Sequence, residues 1–246
     1  MPKITFNNNK LKVVKTSYNY FNNLSTNVLE NNCLKVIDLF SNNNKYLLDL
    51  GGFYGSIPLA FYKKFKAIYT YEADPTAINV LNQNLSVNNI KNVYIIEELL
   101  SDKDNEIKLF GGFKKFASSG THIVNIENKI NGYKYVELKS NTLITSLYKN
   151  NIDVSMISLI KMDIEGSEYP VIKHSKEFLI NNNIPLYISI HKHLMNEASF
   201  CELIQILFEI YNYCYCFIGD KLILVNKDYV IENFKDMFLF TKDTII

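Results

Sequence analysis

Apolar positions along this chain fall into two alternating periods, one helical and one extended. The first 25 residues or so are polar and Asn-rich and read as an N-terminal arm. From Thr26 to Phe40, Val28, Leu29, Cys33, Leu34, Val36, Ile37 and Phe40 recur at helical spacing, which predicts an amphipathic helix. Tyr46-Leu47-Leu48-Asp49-Leu50 then reads as a buried strand, and Ser56 to Phe65 as a helix with Pro58 in its first turn. Ala67–Tyr71 and Val93–Glu97 are the next strands, separated by a helix over Thr76 to Val87 that starts just after Asp74-Pro75. Strand-like Ile107–Phe110 and Tyr135–Leu138 follow. Ile157–Met162 and Leu186–Ile190 are predicted as the fourth and fifth parallel strands, with a helix starting near Glu168 between them. A helix over Glu197 to Tyr211 leads to Tyr213–Phe217 and Leu222–Val225, which flank the hairpin signal Gly219-Asp220. Alternating βα units of this kind predict an α/β fold: a doubly wound, mostly parallel sheet with one antiparallel strand near the C-terminus.

Composition narrows the class. A chain of 246 residues, 48% hydrophobic, buries one sizeable core, so a single domain is expected. Its parts would be an arm and helix over 1–44, a Rossmann-like core over 45–226 and a tail over 227–246. The formal net charge is +1, and every one of the 26 basic residues is Lys. A near-neutral chain without Arg lacks the side chain best suited to bidentate grip on phosphate and guanine, so no nucleic-acid partner is expected. The four cysteines have neither zinc spacing nor the density of a disulfide framework, and Cys214 and Cys216, two apart in an aromatic run, should pack as small apolar groups. Met1-Pro2-Lys3-Ile4-Thr5 lacks an apolar signal core, and no stretch is long enough to span a bilayer. A cytoplasmic setting is the expectation.

The candidate chemistry begins at the first strand's end. Gly51, Gly52 and Gly55 follow Asp49-Leu50, where an open parallel sheet receives its ligand. Glycines there let backbone approach the ligand, and the helix N-terminus that follows offers amide donors. The dinucleotide fingerprint G-x-G-x-x-G is absent, because Phe53 holds its third position. What stands instead is D-x-G-x-x-x-G, whose carboxylate Asp49 suits a ligand carrying an amino group and a sulfonium. Glu72 ends the second strand 23 positions after Asp49, near the ~20-residue spacing at which an acid meets ribose hydroxyls. Glu97 and Glu98 close the third strand, where an adenine contact falls. Only one of them can face the pocket, and Glu98 is carried as the candidate. Asp49, Gly51, Gly52, Gly55, Glu72 and Glu98 thus point to S-adenosylmethionine.

The segments Asp49–Gly55, Tyr71-Glu72-Ala73-Asp74-Pro75, Asn84–Asn88, Leu100-Ser101-Asp102-Lys103 and Ile160-Lys161-Met162-Asp163-Ile164-Glu165-Gly166-Ser167-Glu168 together resemble the FkbM family of methyltransferases. The likeness spans roughly residues 45–192, and I-K-x-D-x-E-G-x-E is its most specific part. It implies a class I methyltransferase fold, S-adenosylmethionine as cofactor, and methylation of a sugar or other small hydroxylated acceptor on oxygen. The matching segment brings Ala73 into the cofactor-binding set. The chain departs from the family in having Gly52-Phe53 where Ala-Asn is usual, Leu143-Ile144 in place of Leu-Asp, and Ser189-Ile190-His191 in place of Glu-x-His.

Methyl transfer to an alcohol needs an in-line oxygen and removal of its proton. Asp163 and Glu165, two apart beyond the fourth strand, are candidates to hold the acceptor, take its proton or bind a hard divalent ion such as Mg²⁺. In the competing reading Asp163 bonds loop amides and Glu165 merely opens the next helix. A neutral imidazole at His191, ending the fifth strand, would serve as general base, with His193 a weaker candidate. The spacing demands no metal, so no metal ligands are assigned. The segment 111–134, which includes Ser118-Ser119-Gly120-Thr121, is expected to cover the acceptor. Three alternatives remain open: a nucleic-acid methyltransferase, an NAD-dependent oxidoreductase, and a non-catalytic binding module on a methyltransferase fold.

Overall fold

The computed structural model describes residues 1–24, 28–113, 121–124 and 130–245. In chain order it begins with β1 (Lys3–Phe6), β2 (Asn9–Lys12), α1 (Lys15–Leu24) and α2 (Val28–Leu39). The first βα units are β3 (Tyr46–Leu50), α3 (Ser56–Phe61), β4 (Ala67–Tyr71), α4 (Pro75–Val87) and β5 (Val93–Ile96). Then come β6 (Leu99–Leu100), β7 (Ile107–Phe113), β8 (His122–Val124), β9 (Lys134–Asn141) and α5 (Leu143–Lys149). The chain continues through β10 (Ile157–Met162), α6 (Glu168–His174), α7 (Lys176–Asn181), β11 (Leu186–Ser189) and α8 (Glu197–Ile210). Last are β12 (Tyr213–Ile218), β13 (Lys221–Val225), α9 (Lys227–Glu232) and β14 (Met237–Thr241). No helix among the described residues is long and apolar enough to cross a membrane.

The main sheet has the order β13-β12-β14-β11-β10-β3-β4-β5. Strands β3, β4, β5, β10 and β11 are parallel, and the order reverses beside β3, between β4 and β10. Side chains alternate across it: Leu48, Leu50, Ile160, Met162 and Ile188 enter the core under α5 to α9, while Leu47, Leu159 and Tyr187 enter the core under α1 to α4. Helix α4 starts where expected because Asp74 accepts from the amides of Thr76 and Ala77, with Pro75 filling the first turn. A smaller sheet, β6-β9-β7-β8, stands beyond β5 in sequence and holds the described part of the segment expected over the acceptor. Within that segment 114–120 and 125–129, and hence Ser118, Ser119 and Gly120, lie outside the described residues, as does Thr26.

Two expectations need correction. Residues 227–246 are not a tail, since they supply α9 and β14, and β14 lies antiparallel between β11 and β12. The apolar run Met237-Phe238-Leu239-Phe240 has buried partners on both faces, which a tail would not. Where one antiparallel strand was expected, three successive pairings are antiparallel, β11–β14, β14–β12 and β12–β13, with the β12–β13 hairpin at the edge. The N-terminal arm is also ordered structure. Asn7 and Asn8 take positive φ (45° and 61°), which closes the β1–β2 hairpin with a tight turn. Buried Asn84 of α4 then accepts from the Val14 amide and donates to the Tyr54 carbonyl, tying the arm to the first βα turn.

Candidate active site

The ends of β3, β4 and β10 carry a row of polar side chains set by register. Asp49 sits opposite Thr70 on one side and Lys161 on the other. Thr70 Oγ1 donates to Asp49 Oδ2 (2.9 Å), and Lys161 Nζ lies 3.3 Å from Asp49 Oδ1 while donating to the Gly51 carbonyl (3.0 Å). Asp49 is fully buried, and that burial raises its carboxyl pKa against the lowering pull of Lys161 and Thr70. It does not reach the cavity. It holds Lys161, and through it the turn, from behind the cavity wall, where a direct contact with the ligand was expected. Lys161 went unassigned on sequence, although a Lys inside an otherwise apolar strand is a signal of a buried ion pair.

Gly51 and Gly52 do line the cavity, whose other walls include Phe53, Glu72, Ala73, Glu98, Leu99 and Asp163. Gly51 has φ +90°, and a Cβ there would stand 1.9 Å from the Asp163 carbonyl oxygen. Gly55, in contrast, packs beneath the turn, where a Cβ would meet Leu81 at 2.4 Å, and is absent from the cavity wall. Phe53 takes φ 45°, a conformation that the family's Asn adopts more readily. Ring contacts hold it: it stacks on Tyr54 at 4.0 Å and meets Tyr20 of α1 edge-on at 5.2 Å. Tyr20 therefore reaches the cavity from the N-terminal segment, a contribution the sequence did not signal.

Glu72 is where the sequence put it. Its Oε2 accepts from the Phe53 amide (2.7 Å) and its Oε1 from those of Ala73 and Asp74 (both 2.8 Å). Burial raises its pKa, and these three amides pull it back down. Between the two acids that close the third strand, Glu98 faces the cavity and Glu97 is exposed. Glu98 Oε2 is buried and has no hydrogen-bond partner among the described residues.

The second cluster forms where β10 and β11 end. Glu168, fully buried, accepts from the amides of Ile164 (3.2 Å) and Gly166 (2.9 Å) and bonds His191 Nδ1 at 2.8 Å. That bond aims His191 Nε2 at Asp163 Oδ1 (3.5 Å) and Glu165 Oε2 (3.4 Å). Asp163 Oδ2 lies 3.8 Å from Lys161. Glu165, at φ 50°, is turned into this group instead of opening α6. Burial alone would lower the His191 pKa, but the Glu168 bond and the three surrounding carboxylates raise it to about 9. The expected neutral imidazole is thus replaced by one charged near neutral pH. His193 meets the His191 ring edge-on at 5.9 Å and lines a second cavity with Lys108, Tyr135, Tyr169, Asn196 and Ser199. The two cavities meet at Glu165 and Ser167, and residues 121–124 border both: Thr121 the first, His122 to Val124 the second.

Strand order, glycine turn and strand-end acids define a class I methyltransferase fold. The chain belongs to the FkbM methyltransferase family, whose methyltransferase FkbM domain model matches residues 38–215. A stretch of 76 residues is 38% identical to tRNA(Phe) (4-demethylwyosine(37)-C(7)) aminocarboxypropyltransferase of Methanocaldococcus jannaschii, covering 30% of each chain. The crystal structure of methyltransferase FkbM from Methylobacillus flagellatus KT is similar with a TM-score of 0.49 at 15% identity, over 81% of this chain and 44% of that one. A putative methyltransferase from Streptococcus mutans in complex with SAH is similar with a TM-score of 0.47 at 11% identity, over 87% and 96%. The chain thus spans less than half the length of the first two.

Proposed function

We propose that this protein is an S-adenosylmethionine-dependent methyltransferase that acts in the cytoplasm on a hydroxyl of a saccharide or related small acceptor. The observation that carries this reading is the meeting of the two cavities at Glu165 and Ser167, beside Asp163, with the glycine turn on one side and His191 behind. The residues fit the cofactor. Glu98 Oε2 is a buried acceptor in want of a donor, which an adenine amino group is. Glu72 retains unused lone pairs on a half-buried carboxylate, suited to ribose hydroxyls, and Phe53 and Leu99 offer apolar walls. When bound, S-adenosylmethionine supplies an electrophilic methyl group on a sulfonium. Asp163 and Glu165 then accept hydrogen bonds from the acceptor hydroxyl and draw its proton, while Glu168 holds His191 against both carboxylates. The second cavity, with Tyr135 and Tyr169 among hydroxyl and amide side chains, has the mixed flat and polar surface that saccharides use.

Calorimetry with S-adenosylmethionine and with NAD tests the cofactor, and tight binding of NAD alone would overturn it. Transfer of labelled methyl groups to a panel of sugars, sugar nucleotides and tRNA tests the acceptor. Label in tRNA but in no saccharide would replace the acceptor class. Asp163→Asn and His191→Ala should abolish transfer with cofactor affinity largely kept, and unchanged turnover in both would remove this cluster from the reaction.

A further inference from the structure

The geometry points to a divalent-cation site formed by Asp163 Oδ1, Glu165 Oε2 and His191 Nε2, suited to a first-row transition ion such as Mn²⁺ or Co²⁺. The three donor atoms lie within 4.8 Å of one another. The two edges from Nε2, 3.5 and 3.4 Å, are longer than the ~2.7–2.9 Å of a charge-assisted hydrogen bond. They stand at or just above the ~3.0–3.4 Å separation of ligands that each lie ~2.1 Å from a common ion, so an ion would draw the three groups slightly together. The imidazole's other nitrogen is already fixed by Glu168, a buried carboxylate outside the donor set, and this leaves Nε2 facing the two acids, where the ion takes the place of the Nε2 proton, which passes to solvent. A carboxylate behind the histidine is the usual support of a metal-binding imidazole. Lys161 lies near the opposite oxygen of Asp163, so Oδ1 is the one turned to the cluster.

The donor set also selects among ions. Two carboxylates alone would suit Mg²⁺, but an imidazole nitrogen moves preference toward Mn²⁺, Fe²⁺, Co²⁺ or Zn²⁺. Because Asp163 walls the first cavity and Glu165 walls both, an ion here stands where they meet. Its remaining positions are open to an acceptor hydroxyl, whose pKa it would lower. The use of the ion rests on the methyltransferase reading; its binding does not.

Titration of the full chain with Mn²⁺, followed by the loss of the free-ion electron paramagnetic resonance signal, should show one bound ion per chain. Co²⁺ should give visible absorption bands that shift when His191 is replaced. Glu165→Gln and His191→Gln should each weaken Mn²⁺ at least 10-fold, and Glu168→Gln about 10- to 100-fold. His174→Ala, on the exposed end of α6, should leave affinity unchanged. Circular dichroism and S-adenosylmethionine calorimetry on each variant identify any that fail to fold, and those are replaced by Glu165→Ala or His191→Ala. Absence of stoichiometric binding in the folded wild type, or binding that the Glu165 and His191 variants leave intact, overturns the site. Methyl transfer that survives chelation with no bound ion would overturn the cation alone, whereas lost cofactor binding would overturn the methyltransferase reading alone.

Discussion

The two halves of the cavity are built on the same plan but finished differently. Each rests on a fully buried acid set behind the cavity wall: Asp49 on the turn side, Glu168 on the side of β10 and β11. Asp49 works through Lys161 to grip the Gly51 carbonyl, and Glu72 accepts from three loop amides. On that side polar groups are largely satisfied by backbone, which fixes the turn before any ligand arrives. On the other side Glu168 holds two amides and His191, whose Nε2 faces Asp163 across 3.5 Å and Glu165 across 3.4 Å. One half is tied down by backbone amides, and the other is a group of side chains that face one another. Binding and chemistry should therefore separate under mutation.

Gly51→Ala should break the comparison most, because residue 51 touches both halves. A Cβ 1.9 Å from the Asp163 carbonyl forces the turn and the acidic loop apart, and calorimetry should find no cofactor binding and no activity. A variant that binds normally would show that the halves are not in contact. Next, Lys161→Met leaves Asp49 buried without its cation and should lower unfolding stability by about 3–5 kcal/mol in urea titration. Adding Asp49→Asn to it should recover more than half of that loss. Glu168→Gln should lower transfer about 10- to 100-fold while cofactor affinity stays within about 2-fold. Equal losses in both would make Glu168 a mere support of the loop. The smallest effect belongs to Tyr20→Phe. It removes the 3.4 Å bond to Ser56 and keeps the ring contacts to Phe53 and Tyr54, so cofactor affinity should change less than about 2-fold. Tyr20→Ala should cost more, and equality of the two would deny the N-terminal helix a part in the turn.

The sequence was most informative where one local pattern decides the outcome. Strand β10 begins and ends where its apolar run does, and α4 starts at its Asp-Pro pair. Glu72 and Glu98 were found because a strand end in a doubly wound sheet has only one place to go. Asp49 shows the limit: whether a strand-end acid faces a ligand or a lysine depends on the register of β3 with β10, more than a hundred residues away. The charge of His191 escaped for the same reason, since it follows from carboxylates brought in by β10 and α6. The β1–β2 hairpin hid inside a compositional bias, because Asn7-Asn8 is one more Asn pair in a chain full of them. On sequence strand β14 reads as part of a tail although Met237-Phe238-Leu239-Phe240 is a plain apolar run, and its place between two earlier strands has no local signal.

That placement has a consequence for how the chain comes off the ribosome. Strand β14 is made after β12 and β13, yet it alone joins them to β11. Until Met237–Thr241 has emerged, the edge of β11 is open and the β12–β13 hairpin has nothing in the sheet to pair with. At roughly 5–20 residues per second, the β3–β5 and β10–β11 units have time to assemble first, leaving a half-sheet with an unpaired parallel edge. An exposed edge of that kind is the usual point of wrong association. The late strand is thus a latch that shuts the vulnerable side of the sheet, and a chain in which Met237–Thr241 has not yet docked keeps that edge open.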